Sequence, residues 1–353
     1  MELNIKISFA FILMLFLTRL GEAQQQVFDV TKFGATTNGD ISKVCKVMDA
    51  FKEACAATSP STIVIPKGTY PMNQVKLQGP CKAPLELQQM KGDGEWFTLI
   101  ILIAHTFGTG VFDGQGKNLS FNFLTNSTIL DITSQDKEMF HVNVNGCKNL
   151  TFIGVKITAP QESINTDGIH VARSSNVNIT NCVIGTEMIA SLVGDELEQL
   201  HITKVTCGPG HGISPVVGVY VKNCTFINTD NGVRVKTWPA SHQGVVTHLH
   251  FEDIIVQNVS NPVVIDQVYC PYNQCNKDIS KVSIKNVRGT SRTQDAVPLL
   301  CSKGVPCEGV EVGDIDISYN GKEGPAKSSC ENVKPSFVGK RIHPFVLGAH
   351  RLS

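Results

Sequence analysis

No apolar run in this chain is long enough to cross a membrane. The stretch Phe9 to Leu17 falls far short of the about 20 residues that a spanning helix needs. It follows Lys6 and precedes Gly21-Glu22-Ala23, the layout of a secretory signal peptide, so residues 1–23 are expected to be cleaved off. A second run, Leu99 to Ala104, is shorter and reads as a buried strand. Net charge is missing as well. The 31 Lys+Arg balance 31 Asp+Glu, so no global field draws in nucleic acid, and an acidic ligand must be held by a local cluster. No Cys-x-x-Cys pair or matching histidine spacing points to a metal. The 12 cysteines all lie beyond residue 23 and read as disulfide partners in an oxidising compartment, with zinc as the alternative. Several sit close in sequence: Cys45 and Cys55, Cys207 and Cys224, Cys270 and Cys275, Cys301 and Cys307. Spacing alone does not assign the connectivity.

Helical periodicity is confined to the N-terminal part. Val44, Val47, Met48, Phe51, Ala54 and Cys55 follow helical spacing and predict a helix that closes that end of the fold. From residue 149 onward an apolar-polar-apolar triplet recurs instead. It reads Leu150-Thr151-Phe152, Val177-Asn178-Ile179, Leu200-His201-Ile202 and Val219-Tyr220-Val221. It returns as Leu249-His250-Phe251, Val282-Ser283-Ile284 and Val310-Glu311-Val312. The alternation is that of a strand with one buried face. Steps of 27, 23, 19, 30, 33 and 28 residues, joined by Asn-, Gly- and Thr-rich turns, predict a solenoid with one rung per repeat. A β-sandwich also uses many short strands but calls for turn signals every 8–12 residues between long paired strands. The triplets favour one all-β domain, a parallel β-helix over residues 24–353. Asn-x-Ser/Thr sequons begin at Asn118, Asn126, Asn149, Asn178, Asn223 and Asn258.

Four blocks stand out in order along the chain. They are Asn165-Thr166-Asp167-Gly168-Ile169-His170, Cys207-Gly208-Pro209-Gly210-His211-Gly212, Asn231-Gly232-Val233-Arg234-Val235-Lys236-Thr237-Trp238 and Gln267-Val268-Tyr269-Cys270-Pro271. At this order and spacing the chain resembles the plant polygalacturonases of glycoside hydrolase family 28, most of all the exo-acting pollen type. The resemblance runs from Val27 to about Gly339. It implies a single-stranded right-handed parallel β-helix of the pectin-lyase-like kind. It also implies metal-free, cofactor-free hydrolysis with inversion of the α-1,4-galacturonosyl bonds of pectin. The expected setting is the extracellular cell wall, without a membrane anchor, a nucleic-acid partner or a second subunit.

Inverting glycosidases use one carboxylic acid to protonate the leaving oxygen and a second carboxylate, about 6.5–9.5 Å away, to activate water. The family supplies an aspartate in the Asn-Thr-Asp block and two adjacent ones on the next rung. Carried over by resemblance, Asp167 matches one water-activating aspartate and His211 the histidine that tunes the acids. Arg234 and Lys236 match a clamp on the substrate carboxylate, and Tyr269 a sugar contact. The adjacent pair is missing. Where relatives read Gly-Asp-Asp-Cys, this chain reads Glu187-Met188-Ile189-Ala190, so Met188 stands for the acid and Ile189 for the second base. Neither side chain handles a proton. Glu187 is one residue early, while Asp195 and Glu196 belong to a turn.

Other departures are the 19-residue step from Leu200 to Val219, a shortened stretch between Leu87 and Phe107, and the tail from Lys340 to Ser353. Asn-Thr-Asp recurs at Asn228–Asp230 without an assigned role, Gly-Pro-Gly-His-Gly also describes a tight turn, and Tyr269 also suits plain packing. Three functions follow: an active pectin hydrolase, a catalytically silent galacturonan binder, or a chain without a folded role.

Overall fold

The computed structural model describes residues 25–36, 45–66, 76–89, 98–100, 105–113, 119–135, 140–159, 167–186, 189–191, 197–210, 213–214, 217–236, 245–267, 278–341 and 345–347. The signal-peptide segment, Glu187, Met188, His211 and Tyr269 lie outside them.

The triplets stack in the register that their pattern demands. Leu150 lies opposite Val177, Val177 opposite Leu200, and Leu200 opposite Val219. The column continues through Leu249, Val282 and Val310, and every step is parallel. The apolar flanks of all seven triplets are no more than 1% exposed. Each such side chain contributes about 1.5–3 kcal/mol by leaving water, so stacking rungs is what stabilises them. Parallel pairing from the first strand, Gln26–Asp29, to the last, Phe345–Leu347, excludes the antiparallel sandwich. The architecture is an all-β parallel solenoid.

The middle residues of the triplets form a row on the outer face. In it the rings of His201 and Tyr220 stack at 5.0 Å, and those of Tyr220 and His250 at 4.7 Å.

Two left-handed corners bracket each triplet. Asn149, Asn176, Gln199, Gly218, His248, Lys281 and Gly309 precede them with φ between 52° and 62°. Gly154, Asn181, Lys204, Asn223, Asp253, Asn286 and Asp314 follow with φ between 51° and 67°. Asn, Asp and Gly tolerate this region best, which explains the composition of the turns. Side-chain ladders tie the corners together. Asn176 Nδ2 donates to Asn149 Oδ1 at 2.8 Å, and Asn149 Nδ2 to Asn126 Oδ1 at 2.7 Å. Asn258 Nδ2 donates to Asn228 Oδ1 at 2.8 Å. The sequon nitrogens of Asn149 and Asn258 are thus engaged in the fold.

The helix Cys45–Ala56 buries Val47, Ala50, Phe51 and Ala54 and packs on the strands Gln26–Asp29 and Ser61–Ile65. The described strands on either side of the shortened regions pair. Leu85 pairs with His105 and Leu87 with Phe107, and Leu99 joins the strand Thr98–Ile100 between Leu77 and Phe121. The 19-residue turn keeps the register of its neighbours. The tail adds a last strand, in which Val346 lies opposite Ser329.

Disulfides join Cys55 to Cys81 and Cys301 to Cys307. Cys207 and Cys224, close in sequence, are separate buried thiols. Cys207 occupies the row of Ile184 and Phe226, whereas Cys224 follows the triplet at the next corner.

Candidate functional site

Five short strands lie side by side along one flank, in sequence order. Asp167–Ala172 packs beside Ile189–Ser191, which pairs with Ile213–Ser214. That strand pairs with Asn231–Lys236, which pairs in turn with Asn261–Asp266. At about 4.8 Å per strand, the Asp167 strand stands ~14 Å from the Arg234 strand.

Asp167 opens its strand opposite Phe140 and is 5% exposed. Three residues on, the His170 ring lies 4.6 Å from the Phe140 ring at an angle of 33°. On the next strand the backbone of Ile189 is the Cα partner of Ile213, itself the partner of Val233. Ile213 and Val233 are fully buried, so Ile189 belongs to a row whose neighbours face the core.

The Gly-Pro-Gly-His-Gly block is held by backbone contacts. Gly208 has φ +124°, and a Cβ there would strike the Ile227 carbonyl, so glycine is required. Gly208 N–H donates to Ile184 O at 2.9 Å. Asp230 N–H donates to Gly210 O at 2.7 Å, and Gly210 bridges to Thr229. The second Asn-Thr-Asp therefore supports the residue that precedes His211.

Arg234 and Lys236 alternate with the buried Val233 and Val235, so both project from the same face of one strand. A Cβ on Gly232 would lie 2.5 Å from the Pro262 carbonyl, which shows how closely the next strand approaches. That strand brings Asp266 opposite Lys236. Arg234 Nη2 lies 3.7 Å from Asp266 Oδ2, and their side chains are 22% and 19% exposed. Burial pulls the Lys236 ammonium below its usual pKa, the Arg234 charge adds to the fall, and Asp266 opposes it. Among the described residues the result is two cations and one anion in a partly dry cluster. A guanidinium and an ammonium side by side suit a carboxylate, with Arg supplying a bidentate fork and Lys a point charge.

Sequence reasoning singled out the two cations but not Asp266. The signal lay in the repeat: Asp266 follows Lys236 by 30 residues, the same step that separates Val219 from Leu249.

Fold and site together define a parallel β-solenoid with a carboxylate at one rung and a paired-cation cluster three strands further on. Its sequence matches the profile of the glycosyl hydrolases family 28 over residues 55–341, and the chain belongs to that family. Among relatives, a polygalacturonase of Nicotiana tabacum is 61% identical over 390 residues, which covers 98% of this chain and 98% of the relative. That span exceeds the 353 residues here, so the relative carries residues that this chain lacks. An exopolygalacturonase of Oenothera organensis is 47% identical over 350 residues, covering 85% of this chain and 96% of the relative. The solved exopolygalacturonase of Thermotoga maritima superposes with a TM-score of 0.69 at 12% identity, covering 93% of each chain. The polygalacturonase of Erwinia carotovora ssp. carotovora gives 0.59 at 18% identity, covering 91% of this chain and 96% of that one. These two likenesses concern the fold.

Proposed function

We propose that this protein binds the galacturonan of pectin through Arg234 and Lys236 and has lost most or all of the family's hydrolysis. The carrying observation is the cation pair on one strand face, partly buried and set three strands from Asp167. Kinship with polygalacturonases that match nearly the whole chain supports the ligand class. The sequence argues against turnover. Met188 and Ile189 offer no proton where family members place the acid and the second base. Each general acid or base typically contributes about 10²–10⁴-fold, so losing two removes most of the rate. In this reading Asp167 and His211 are remnants of the catalytic set, and Tyr269 adds a sugar contact. The site of action is the cell wall, reached through the signal peptide at residues 1–23, and the working form is a monomer.

The deciding experiment measures reducing-end release from polygalacturonate by the secreted, purified chain, beside Asp167→Ala. Retention of both proteins on immobilised polygalacturonate is followed at the same time. Retention without release is the expected result. Release that disappears in Asp167→Ala would overturn the loss of catalysis and point to Glu187 as the acid.

A further inference from the structure

The carboxylate that the sequence reading passed over has a place in the clamp. Asp266 lies opposite Lys236 and 3.7 Å from Arg234 Nη2. That separation exceeds the about 2.7–2.9 Å of a charge-assisted hydrogen bond, so the contact is an ion pair without a direct hydrogen bond. Both side chains keep about a fifth of their surface in solvent, where a third charged group can approach. The backbone that carries Asp266 is held on both sides. Its neighbour Ile265 is fully buried and lies opposite Leu299, while Asp266 lies opposite Leu300. On the other side Gln267 is fully buried, with its N–H donating to Leu300 O at 2.9 Å. Gln267 Oε1 also accepts from Ser302 N–H at 2.8 Å. The backbone on both sides of the carboxylate is therefore pinned.

From this geometry we infer that Asp266 is the internal counter-ion of the clamp, competing with a uronate carboxylate for Arg234 and limiting the affinity for a polyanionic chain. The inference rests on the galacturonan reading above and deepens it. Counted over Arg234, Lys236 and Asp266 alone, the described cluster carries one net positive charge with Asp266 present, and a single bound uronate neutralises it. Without Asp266 the cluster carries two, and the second charge acts on the same carboxylate and on its neighbours along the polymer. A limited affinity suits a protein that must leave or move along a chain charged at every sugar. Asp266 is thus a specificity-determining residue that acts through Arg234 rather than on the sugar.

The test uses trigalacturonate and the variant Asp266→Asn, which keeps the shape and removes the charge. Affinity is measured by calorimetry at low and at high salt. Binding is expected to tighten about tenfold at low salt, with a steeper salt dependence because one more net charge is engaged. In an Arg234→Ala background the same change is expected to gain much less. Unchanged or weaker binding by Asp266→Asn would overturn the inference, since it would make Asp266 an orienting partner of Arg234. If neither protein bound trigalacturonate, the galacturonan reading would fail by itself. The counter-ion role would then be decided by NMR titration of ¹³C-methylated Lys236. Asp266→Asn should move the Lys236 ammonium further down, and an unmoved titration would refute the role.

Discussion

Arg292 reaches back across the solenoid to Asp230, its Nη2 lying 3.1 Å from Asp230 Oδ1. The same nitrogen donates to the Thr229 carbonyl at 3.1 Å and to Ser260 Oγ at 2.8 Å. It thereby fastens the turn that supports Gly210 and leads into the Arg234 strand.

Arg292→Ala is expected to cost about 1–2 kcal/mol in urea unfolding, mostly from the lost hydrogen bonds, because an exposed ion pair contributes little. Affinity for trigalacturonate should fall with it, since the turn sets the start of the clamp strand. Arg292→Lys should restore only part of either property, because a lysine has no second nitrogen to replace Nε, which donates to Ser260 Oγ at 3.1 Å. An unchanged affinity in Arg292→Ala would separate this staple from the clamp.

The triplets made the solenoid legible in the sequence. A period of two shows itself wherever one face is buried, and in-register stacking needs no equal spacing, so steps from 19 to 33 residues still converge on one column. Arg234 and Lys236 were legible for the same reason, two polar residues alternating with two valines. Asp266 was not. Its partners lie a rung away, and only strand register brings a residue 30 positions downstream into contact. The position of Ile189 was hidden too, because a three-residue strand with a register shift carries too few positions to fix its own alignment.

The outer aromatic row predicts a dependence on pH. Burial holds His250 below its usual pKa, and the nearby His248 and Lys285 charges add to this while Glu311 opposes it. The folded chain therefore prefers neutral His250. The unfolded chain takes up that proton near about pH 6.5. The contribution of His250 is whole above that pH and diminishes as pH falls through it. Parent and His250→Gln should differ in unfolding free energy more at pH 7.5 than at pH 5. A difference that grows toward pH 5 would reverse the sign.

The buried thiols should be silent in the native state. Burial pushes Cys147, Cys182 and Cys224 up to about 11, and it raises Cys207 as well. At pH 8 a thiol with that pKa is roughly one part in a thousand thiolate, and its burial blocks the reagent besides. Mass mapping after a short native pulse of a maleimide should find these four residues unlabelled, and labelled once urea is added. Fast native labelling at Cys182 or Cys224 would place them nearer solvent than the rows of the core allow.

Reinstating the missing carboxylates tests what this rung has become. Ile189 pairs with Ile213 and, through it, shares a row with Val233, both fully buried. An aspartate whose side chain followed those of Ile213 and Val233 would be desolvated, which costs several kcal/mol unless it takes up a proton, and a protonated acid cannot activate water. Met188→Asp/Ile189→Asp is therefore expected to melt at a lower temperature than the parent and to release no more reducing ends from polygalacturonate. The single change Met188→Asp serves as the stability reference. Recovery of release at an undiminished melting temperature would mean that the rung still accommodates both acids at the cleft. The loss of activity would then reside in two side chains. Continued silence with reduced stability would mean that the rung has been rebuilt around its aliphatic row, so that catalysis cannot return by restoring the acids alone.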